Sequence, residues 1–184
     1  MIQLRERDLA ARDLAALAER CVDAAARHSH ILLNDRLDVA LAARADGVHL
    51  RSDSVDPTMA RAMAPQDFLI GRSAHSQAEA VEASRSGAVD YLLFGTIFLT
   101  PSKAAGHPTS GLEVLAQACA MVPIPVLAIG GITQDRVDAV AKSGAAGVAA
   151  IGLFIPSADV PFERHLEGVV ETLRRAFDTC GAVP

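Results

Sequence analysis

The sequence predicts an α/β fold in which a parallel β-sheet is covered by helices. Short apolar segments of β character alternate with alanine-rich segments of helical period along the whole chain. The β segments are apolar almost throughout, which is typical of parallel strands buried on both faces. Hydrophobic residues make up 51% of the chain, with no Trp and one Tyr, so the predicted core consists mainly of small aliphatic side chains.

Each predicted strand is followed by a predicted helix. The strands are IQLR (2–5), HILLN (30–34), GVHL (47–50), FLIGRS (68–73), YLLFG (91–95), PVLAIGG (125–131) and GVAAIGLF (147–154). The helical segments are LAARDLAALAERCVDAAARH, LDVALAAR, VDPTMARAM, SQAEAVEASRSG, SGLEVLAQACAM, TQDRVDAVAKSG and FERHLEGVVETLRRAFDT. Pro57 is expected in the first turn of its helix, and Thr133 as a cap.

Polar residues or glycines stand at the C-terminal end of nearly every predicted strand. They are Gln3, Arg5, Asn34, Asp35, Ser73, Thr96, Thr100, Gly130, Gly131 and Gly152. Convergence from all strand ends is typical of a TIM-type (β/α)₈ barrel, whereas a doubly wound sheet gathers such groups at one switch point. We therefore expect a TIM-type (β/α) barrel of seven strands that lacks the first β-α unit.

A seven-stranded wall would leave two unpaired edges, at 2–5 and 147–154. Proteins normally cover such edges. We expect a helix, a distortion of the wall or a second subunit to do so here, and a homo-oligomer is the expected state.

Length and charge restrict the possible functions. The 184 residues predict one domain over 1–184. A net charge of −5 disfavours nucleic acid and anionic membranes as partners. No apolar run approaches the roughly 20 residues of a membrane span, and MIQLRERDL does not resemble a signal peptide. The three cysteines are widely separated, which favours reduced thiols in the cytoplasm.

Two loops predict anion binding. In AIGGIT (128–133), Gly130 and Gly131 end a strand and begin a helix, so backbone N–H groups there can approach a phosphate. Gly152 ends the next strand and would add a second glycine, although tight turns alone also explain such glycines. In TPSK (100–103), the hydroxyls of Thr100 and Ser102 and the ammonium of Lys103 are suited to a diphosphate, or the loop is merely solvated.

The remaining polar residues have alternative explanations. Gln3 and Arg5 share one side of a strand, and an Arg within an apolar strand end needs an anionic partner. Asp35 is a ligand for Mg²⁺ or the N-cap of the next helix. We interpret His49 as a core imidazole and His75 as a cap or loop residue. His107 lies in a loop that can fold over the site and is a candidate for proton transfer.

Five segments, QLRERD, NDRLDVALAARADGVHL, IGRSAHS, DYLLFGTIFLTPSK and PVLAIGGIT, together resemble the thiamine phosphate synthase/TenI family from residue 2 to about 154. The resemblance implies a (β/α)₈ barrel that joins hydroxymethylpyrimidine diphosphate to a thiazole phosphate and releases diphosphate with Mg²⁺. It implies that the diphosphate leaves first and that the thiazole nitrogen captures the pyrimidine cation. The implied pyrimidine and diphosphate positions are Gln3, Arg5, Asn34, Ser73, Thr100, Ser102 and Lys103. Asp35 is the implied metal ligand, and Gly130 or Gly131 belongs to the thiazole phosphate loop.

The chain departs from this family pattern in several places. The first β-α unit, with its Y-L-V-T-D-like strand, has no counterpart. Arg7 stands where the synthases have a lysine, and Ser54 stands where they have a second Mg²⁺-binding aspartate. Asp53 is adjacent to that position, on a different face of the chain. Losing a carboxylate there weakens metal binding.

Features of the TenI branch, whose activity is thiazole phosphate tautomerisation, are also present. IGRSAHS and DYLLFG favour that branch, and Arg72 is placed to fill pyrimidine space, but Thr96 replaces the branch's histidine. The principal expectation is an enzyme, the synthase. The candidate catalytic residues are Arg5, Lys103 and His107, with His107 as the candidate for proton transfer. The alternatives are a tautomerase that depends on His107 and a non-catalytic binder of thiazole or thiamine phosphate.

Overall fold

The computed structural model describes residues 1–26, 28–100, 104 and 106–179. Within them, strands alternate with helices from end to end. The strands are β1 (Ile2–Leu4), β2 (Ile31–Asn34), β3 (Gly47–Leu50), β4 (Leu69–Ala74), β5 (Tyr91–Phe94), β6 (Val126–Ile129) and β7 (Gly147–Ala149). The α-helices are α1 (Ala11–Ala25), α2 (Leu37–Ala42), α3 (Pro57–Met63), α4 (Gln77–Arg85), α5 (Gly111–Met121), α6 (Val137–Lys142) and α7 (Phe162–Thr179). Two short 3₁₀ helices are Gln134–Arg136 and Gly152–Phe154.

All seven predicted strands are present, most of them shorter than predicted. The predicted strand 147–154 is shortened most, because a 3₁₀ helix begins at Gly152. The predicted strand 125–131 stops before Gly130, whose positive φ of 105° turns the chain out of the ladder. Asp56 caps α3 by accepting the Thr58 N–H, with Pro57 at the first helical position. Thr133 lies at an N-cap position, but its side chain makes no cap hydrogen bond.

The described residues form two compact units, the first within 1–73 and 83–91 and the second within 74–82 and 92–184. In the first unit, β1 pairs with β2, β2 with β3 and β3 with β4, all in parallel. In the second unit, β5 pairs with β6 and β6 with β7, again in parallel. The parallel pairing expected from the apolar strands is therefore confirmed within each unit. A single domain over 1–184 stays a prediction.

Aliphatic side chains form the core of the first unit. Leu14 and Ala18, four residues apart on α1, are buried, because the 3.6-residue period places both on one face of the helix. They pack with Leu33 of β2, Val48 of β3 and Ile70 of β4, each fully buried. This packing holds the C-terminal ends of β2, β3 and β4 next to one another, and the polar side chains described below follow from those ends.

The start of β5 is anchored by Asp90. Its carboxylate accepts the Ile70 N–H at 2.6 Å and a guanidinium N–H of Arg61 at 2.5 Å. The next residue, Tyr91, then crosses Gly71 so closely that a Cβ on Gly71 would lie 2.1 Å from the Tyr91 ring carbon Cζ. Glycine is required at position 71 because no larger residue leaves room for that ring.

Two further observations concern the thiols and the helices. Cys21 and Cys119 are free thiols, and burial raises the pKa of Cys119 to about 11. Cys180 lies outside the described residues. Among the described helices, none is both long and apolar enough to cross a membrane.

The close approach at Gly71 predicts a large cost for one methyl group. We expect Gly71→Ala to lower the free energy of unfolding by about 1 to 3 kcal/mol, because the Tyr91 ring must move. Urea unfolding monitored by circular dichroism measures the change. Gly168→Ala is the control, since a Cβ built there would meet no described atom within 4 Å apart from the adjacent residues and the backbone of its own helix, and alanine in helix α7 is expected to stabilise by up to about 1 kcal/mol. Equal stability of the two variants would contradict the packing described.

Candidate functional site

Gln3 and Asn34, two of the predicted binding residues, lie together in the first unit. The Gln3 side-chain Nε2 donates a hydrogen bond to Asn34 Oδ1 at 3.1 Å. The parallel register that pairs Gln3 with Leu32 brings them together, because it leaves Asn34 two residues further along the neighbouring strand. The pair presents two amide side chains at the ends of β1 and β2.

Arg5 lies one residue beyond the end of β1 rather than within it, and it is exposed. The inference that its guanidinium needs an anionic partner because it is buried in an apolar strand end is therefore wrong, since water can solvate the charge. Its positive charge nevertheless acts on the buried His49 side chain, where it contributes to the lowered pKa of the imidazole. Arg5 is thus an available cation near the strand ends.

Asp35 follows β2 with a left-handed backbone, φ 67°. Its Oδ1 accepts a short hydrogen bond from the Ser54 hydroxyl, and its Oδ2 lies 3.9 Å from Nη1 of Arg51. The N-cap position of α2 is held by Arg36. Of the two explanations for Asp35, helix capping is therefore wrong. The carboxylate faces the chain that follows β3.

Arg51 makes hydrogen bonds to both Asp53 and Ser54 in the segment that follows β3. Its backbone N–H donates to the Ser54 hydroxyl oxygen at 2.7 Å, and its Nη2 pairs with Asp53 at 2.5 Å. The Asp53 side chain is 65% exposed, which agrees with the expectation that it faces away from the position of the missing carboxylate. Ser54, at the position where the family resemblance implies a second aspartate, donates to Asp35.

A dedicated metal site is not assembled here. No group of three or more His, Cys, Asp or Glu side chains placed to hold a metal occurs in residues 1–26, 28–100, 104 and 106–179. Asp35 offers one carboxylate, with a hydroxyl donor on one oxygen and a guanidinium near the other. Mg²⁺ requires about six oxygen ligands and usually one or two carboxylates among them. The residues present do not fit Mg²⁺ without ligands from outside the protein.

His49, on β3, is buried and hydrogen-bonded at both ring nitrogens. Nδ1 lies 3.2 Å from the Tyr91 hydroxyl, and Nε2 lies 2.9 Å from the Ser73 hydroxyl. Burial, with a contribution from the Arg5 charge, lowers the pKa of His49 to about 4, and burial raises the pKa of Tyr91. The imidazole is therefore neutral at pH 7, and the interpretation of His49 as a core residue is confirmed.

The contact between His49 and Ser73 was missed by sequence reasoning. The register pairs His49 with Gly71 on the adjacent strand, so Ser73 is two residues further along on the same face. That alternation was available in the sequence. Tyr91, however, reaches His49 only because Gly71 leaves room for it, and no local pattern signals this.

Arg72, on β4, places its guanidinium over the chain that follows β3. Nη2 lies 3.4 Å from the Ser52 carbonyl oxygen, a long and weak contact. Nη1 is buried and makes no hydrogen bond among the described residues. The guanidinium thus retains a buried donor that the described residues leave unsatisfied.

In the second unit, Gly130 and Gly131 pack against the chain that follows β5. A Cβ on Gly130 would lie 2.6 Å from the Thr96 methyl, and one on Gly131 would lie 2.5 Å from the Leu99 carbonyl oxygen. Both have positive φ, 105° and 63°. Arg136 donates to the Gly131 carbonyl oxygen at 2.8 Å and stacks on the Phe98 ring. Turn geometry and close packing account for these glycines, and phosphate binding stays a prediction.

Thr100 and His107 line a small cavity in the second unit, with Thr96, Leu99, Ala104 and Thr109. His75 Nδ1 donates a hydrogen bond to the Gly95 carbonyl oxygen at 2.6 Å, and the His75 backbone N–H donates to the Glu79 carboxylate at 2.8 Å, as expected of a loop residue. Gly152 is exposed at the start of its 3₁₀ helix. Ser102 and Lys103 lie outside the described residues.

Comparison with known proteins identifies the family. A family model described as thiamine monophosphate synthase matches residues 1–154. The chain belongs to this family. It is 41% identical over 182 residues to the thiamine-phosphate synthase of Chlorobium luteolum, covering 97% of this chain and 85% of that protein. It is 44% identical over 164 residues to that of Methanoculleus marisnigri, covering 87% and 76%.

Solved structures agree with the fold of the thiamine monophosphate synthase family. A thiamine phosphate pyrophosphorylase from Pyrococcus furiosus matches with a TM-score of 0.82 at 32% identity, over 98% of this chain and 84% of that one. One from Bacteroides thetaiotaomicron has a TM-score of 0.63 at 20% identity, over 99% and 86%, and supports the fold alone. The predicted TIM-type (β/α) fold with seven strands and the resemblance to this family are confirmed.

The buried His49 of this family member predicts a specific dependence of stability on pH. Its pKa in the folded protein is about 4 against 6.5 for the free side chain, so the unfolded chain binds one more proton between these values. The free energy of unfolding should therefore fall by about 3 kcal/mol from this group as the pH drops from 6.5 to 4, and none of that loss should occur above pH 7.

Urea unfolding of the parent protein and His49→Gln between pH 4 and 7 measures this contribution. Glutamine removes the titration, so the variant should show a shallower slope in that window. His28→Gln, at an exposed position, should keep the parent slope. Parallel curves for the parent and His49→Gln would mean that His49 is not held neutral.

Proposed function

We propose that this protein is a thiamine-phosphate synthase, an enzyme that joins hydroxymethylpyrimidine diphosphate to a thiazole phosphate and releases diphosphate. The observation that carries the proposal is the family match over residues 1–154, with relatives about 40% identical that bear this name. Gln3, Asn34 and Ser73 lie in the C-terminal parts of β1, β2 and β4, and Asp35 directly follows β2, which supports a binding site at these strand ends of the first unit.

The reaction requires charge stabilisation more than proton transfer. The bond between the pyrimidine methylene carbon and the diphosphate oxygen breaks, and its electron pair leaves with the diphosphate. The thiazole nitrogen lone pair then forms the new C–N bond, which leaves the ring nitrogen positively charged. No proton is gained or lost at the reacting atoms. Cations and hydrogen-bond donors at the departing diphosphate therefore lower the barrier.

We assign Ser73 the role of a donor to the diphosphate, oriented by His49. Because burial keeps the Tyr91 hydroxyl protonated, it can donate to Nδ1 of the neutral His49 imidazole. Nε2 then carries the proton and donates to the Ser73 oxygen at 2.9 Å. The Ser73 hydroxyl hydrogen is thereby directed away from His49 and remains available for an anionic oxygen.

The other assignments follow the family resemblance. Gln3 and Asn34 would contact the pyrimidine and its diphosphate, with Arg5 as a cation. Gly130 or Gly131 would bind the thiazole phosphate. Gly152, at the end of the next predicted strand, would add a second glycine to that phosphate site. Thr100, Ser102 and Lys103 would complete the diphosphate contacts, with Lys103 catalytic.

The family resemblance implies Mg²⁺ with Asp35 as its ligand. In that reading the metal would supply positive charge to the diphosphate. The described residues offer it one carboxylate only, and the steps above do not depend on it.

The setting of the enzyme is also a proposal. Phosphorylated thiazole and pyrimidine metabolites would be its partners, without nucleic acid or membrane. We propose a cytoplasmic homo-oligomer. Ile2 on β1 is 52% exposed and the three residues of β7 are half-buried, so both terminal strands have apolar surface that a second copy of the chain would cover.

Incubation of the purified protein with both substrates tests the activity directly. Thiamine phosphate should form and inorganic diphosphate should be released in equal amounts, measured by chromatography and a coupled diphosphate assay. Ser73→Ala should lower kcat/KM by roughly tenfold to a hundredfold, because a donor to the leaving group is lost. Ser157→Ala, exposed in the second unit, should match the parent. Absence of product with folded parent protein would reject the synthase.

Substitution of His107 distinguishes the synthase activity from the tautomerase activity. Because the synthase chemistry moves no proton, we expect His107→Ala to retain kcat within about threefold of the parent in the synthase assay. A tautomerase would instead exchange a thiazole-phosphate proton with solvent, and this exchange should stop in His107→Ala. Deuterium incorporation followed by NMR distinguishes the two. Binding of both phosphates with neither reaction would identify a non-catalytic binder.

A further inference from the structure

Arg51 lies beside Asp35, the carboxylate to which the family resemblance assigns Mg²⁺. The contacts that hold Arg51 there are all within the first unit. Its guanidinium lies between two carboxylates, with Nη1 3.9 Å from Asp35 Oδ2 and Nη2 2.5 Å from Asp53 Oδ2. The Arg51 side chain is 37% exposed. A positive charge is therefore built into the chain directly beside the one carboxylate that the family resemblance assigns to Mg²⁺.

The same segment reduces the ability of Asp35 to bind a metal. Ser54 accepts the Arg51 N–H and donates its hydroxyl hydrogen to Asp35 Oδ1, so one lone pair of that oxygen is already used and is not available to a metal. A second carboxylate at position 54 is absent. The guanidinium would also repel a dication bound to Asp35, because the two positive charges would lie next to the same carboxylate.

Arg72 supplies a second cation in the same region. The register pairs it with Leu50, the residue immediately before Arg51. Its Nη2 contacts the Ser52 carbonyl at 3.4 Å, and its buried Nη1 has no partner among the described residues. A buried guanidinium donor without a partner is costly, and an anionic oxygen would satisfy it.

We propose that Arg51 and Arg72 neutralise the diphosphate group in this protein, in the role that a carboxylate-bound Mg²⁺ would otherwise have. The ligand class is a diphosphate ester or inorganic diphosphate, which rests on the proposed function. Planar guanidinium groups bind phosphate oxygens in a bidentate manner and remain charged at all physiological pH values. Binding of diphosphate is therefore expected to be independent of added metal.

Calorimetric titration with inorganic diphosphate tests this proposal. The parent protein should bind it in EDTA, and Mg²⁺ should tighten binding by no more than about twofold. Arg51→Ala and Arg72→Ala should each weaken binding by roughly tenfold or more in EDTA, as for loss of a hydrogen bond to a charged group. Arg51→Lys should retain part of the affinity, because it keeps the charge but not the fork. Arg85→Ala, at the exposed end of α4, is the matched control and should bind as the parent does.

A gain-of-function variant provides an independent test. Arg51→Gly combined with Ser54→Asp removes the cation and restores a second carboxylate beside Asp35. This double variant should bind Mn²⁺ at least tenfold more tightly than the parent, measured by electron paramagnetic resonance of the free ion. Equal Mn²⁺ affinity in the two proteins would overturn the proposal.

The remaining outcomes are also decisive. Diphosphate binding that requires Mg²⁺ and is unchanged in Arg51→Ala would overturn the proposal, while formation of thiamine phosphate would still support the synthase. Metal-independent binding that is lost in Arg51→Ala, without any thiamine phosphate formed, would support the proposal and reject the synthase. If Arg51→Ala does not fold, the metal dependence of the parent and the affinity of Arg51→Lys decide.

Discussion

The two hydrogen bonds of the buried His49 imidazole connect the core of the first unit to its polar strand ends. On one side the ring contacts the Tyr91 hydroxyl, and on the other the Ser73 hydroxyl. A buried polar group is tolerated when hydrogen-bond partners satisfy it. Removing one partner leaves a buried donor or acceptor unsatisfied, which lowers stability. The absence of a side chain at Gly71, the position of Tyr91 and the orientation of Ser73 are therefore linked. A change in the packing of β5 would therefore alter the orientation of Ser73, which is proposed to contact the substrate.

Charge balance around Asp35 is the second constraint on function. The carboxylate is surrounded by a hydroxyl and a guanidinium, both provided by the short segment that follows β3. In a reaction whose leaving group is a diphosphate, positive charge must be present at that group, but the chemistry does not specify its source. A metal ion and an arginine are alternative sources, and they exclude each other when they compete for the same carboxylate. Ser54 and Arg51 are also hydrogen-bonded to each other, so the proposal treats them as one arrangement around Asp35.

In the second unit, one glycine pattern can be explained either by phosphate binding or by backbone packing. Gly130 and Gly131 match a phosphate loop in sequence, yet their backbone conformation and their contacts with Thr96 and Leu99 already require glycine. Gly152 differs, because no described atom lies within 4 Å of a Cβ placed there. Packing thus explains the first two glycines without a ligand, whereas nothing in the described structure requires the third.

The sequence by itself determined the succession of elements, the parallel pairing within each unit and the family. Apolar periodicity and strand-end residues are local properties, so they predict β1 to β7, and the family motifs lie in those same strand ends. Tertiary structure decided how the polar residues are used. Arg5 lies exposed because β1 ends at Leu4. Asp35 contacts Ser54 and Arg51 rather than capping α2, and Ser73 depends on His49 and Tyr91, because side chains distant in sequence meet in the fold. Such contacts depend on register, on backbone φ and on the space left by a missing Cβ, none of which is encoded in the spacing of residues along the chain.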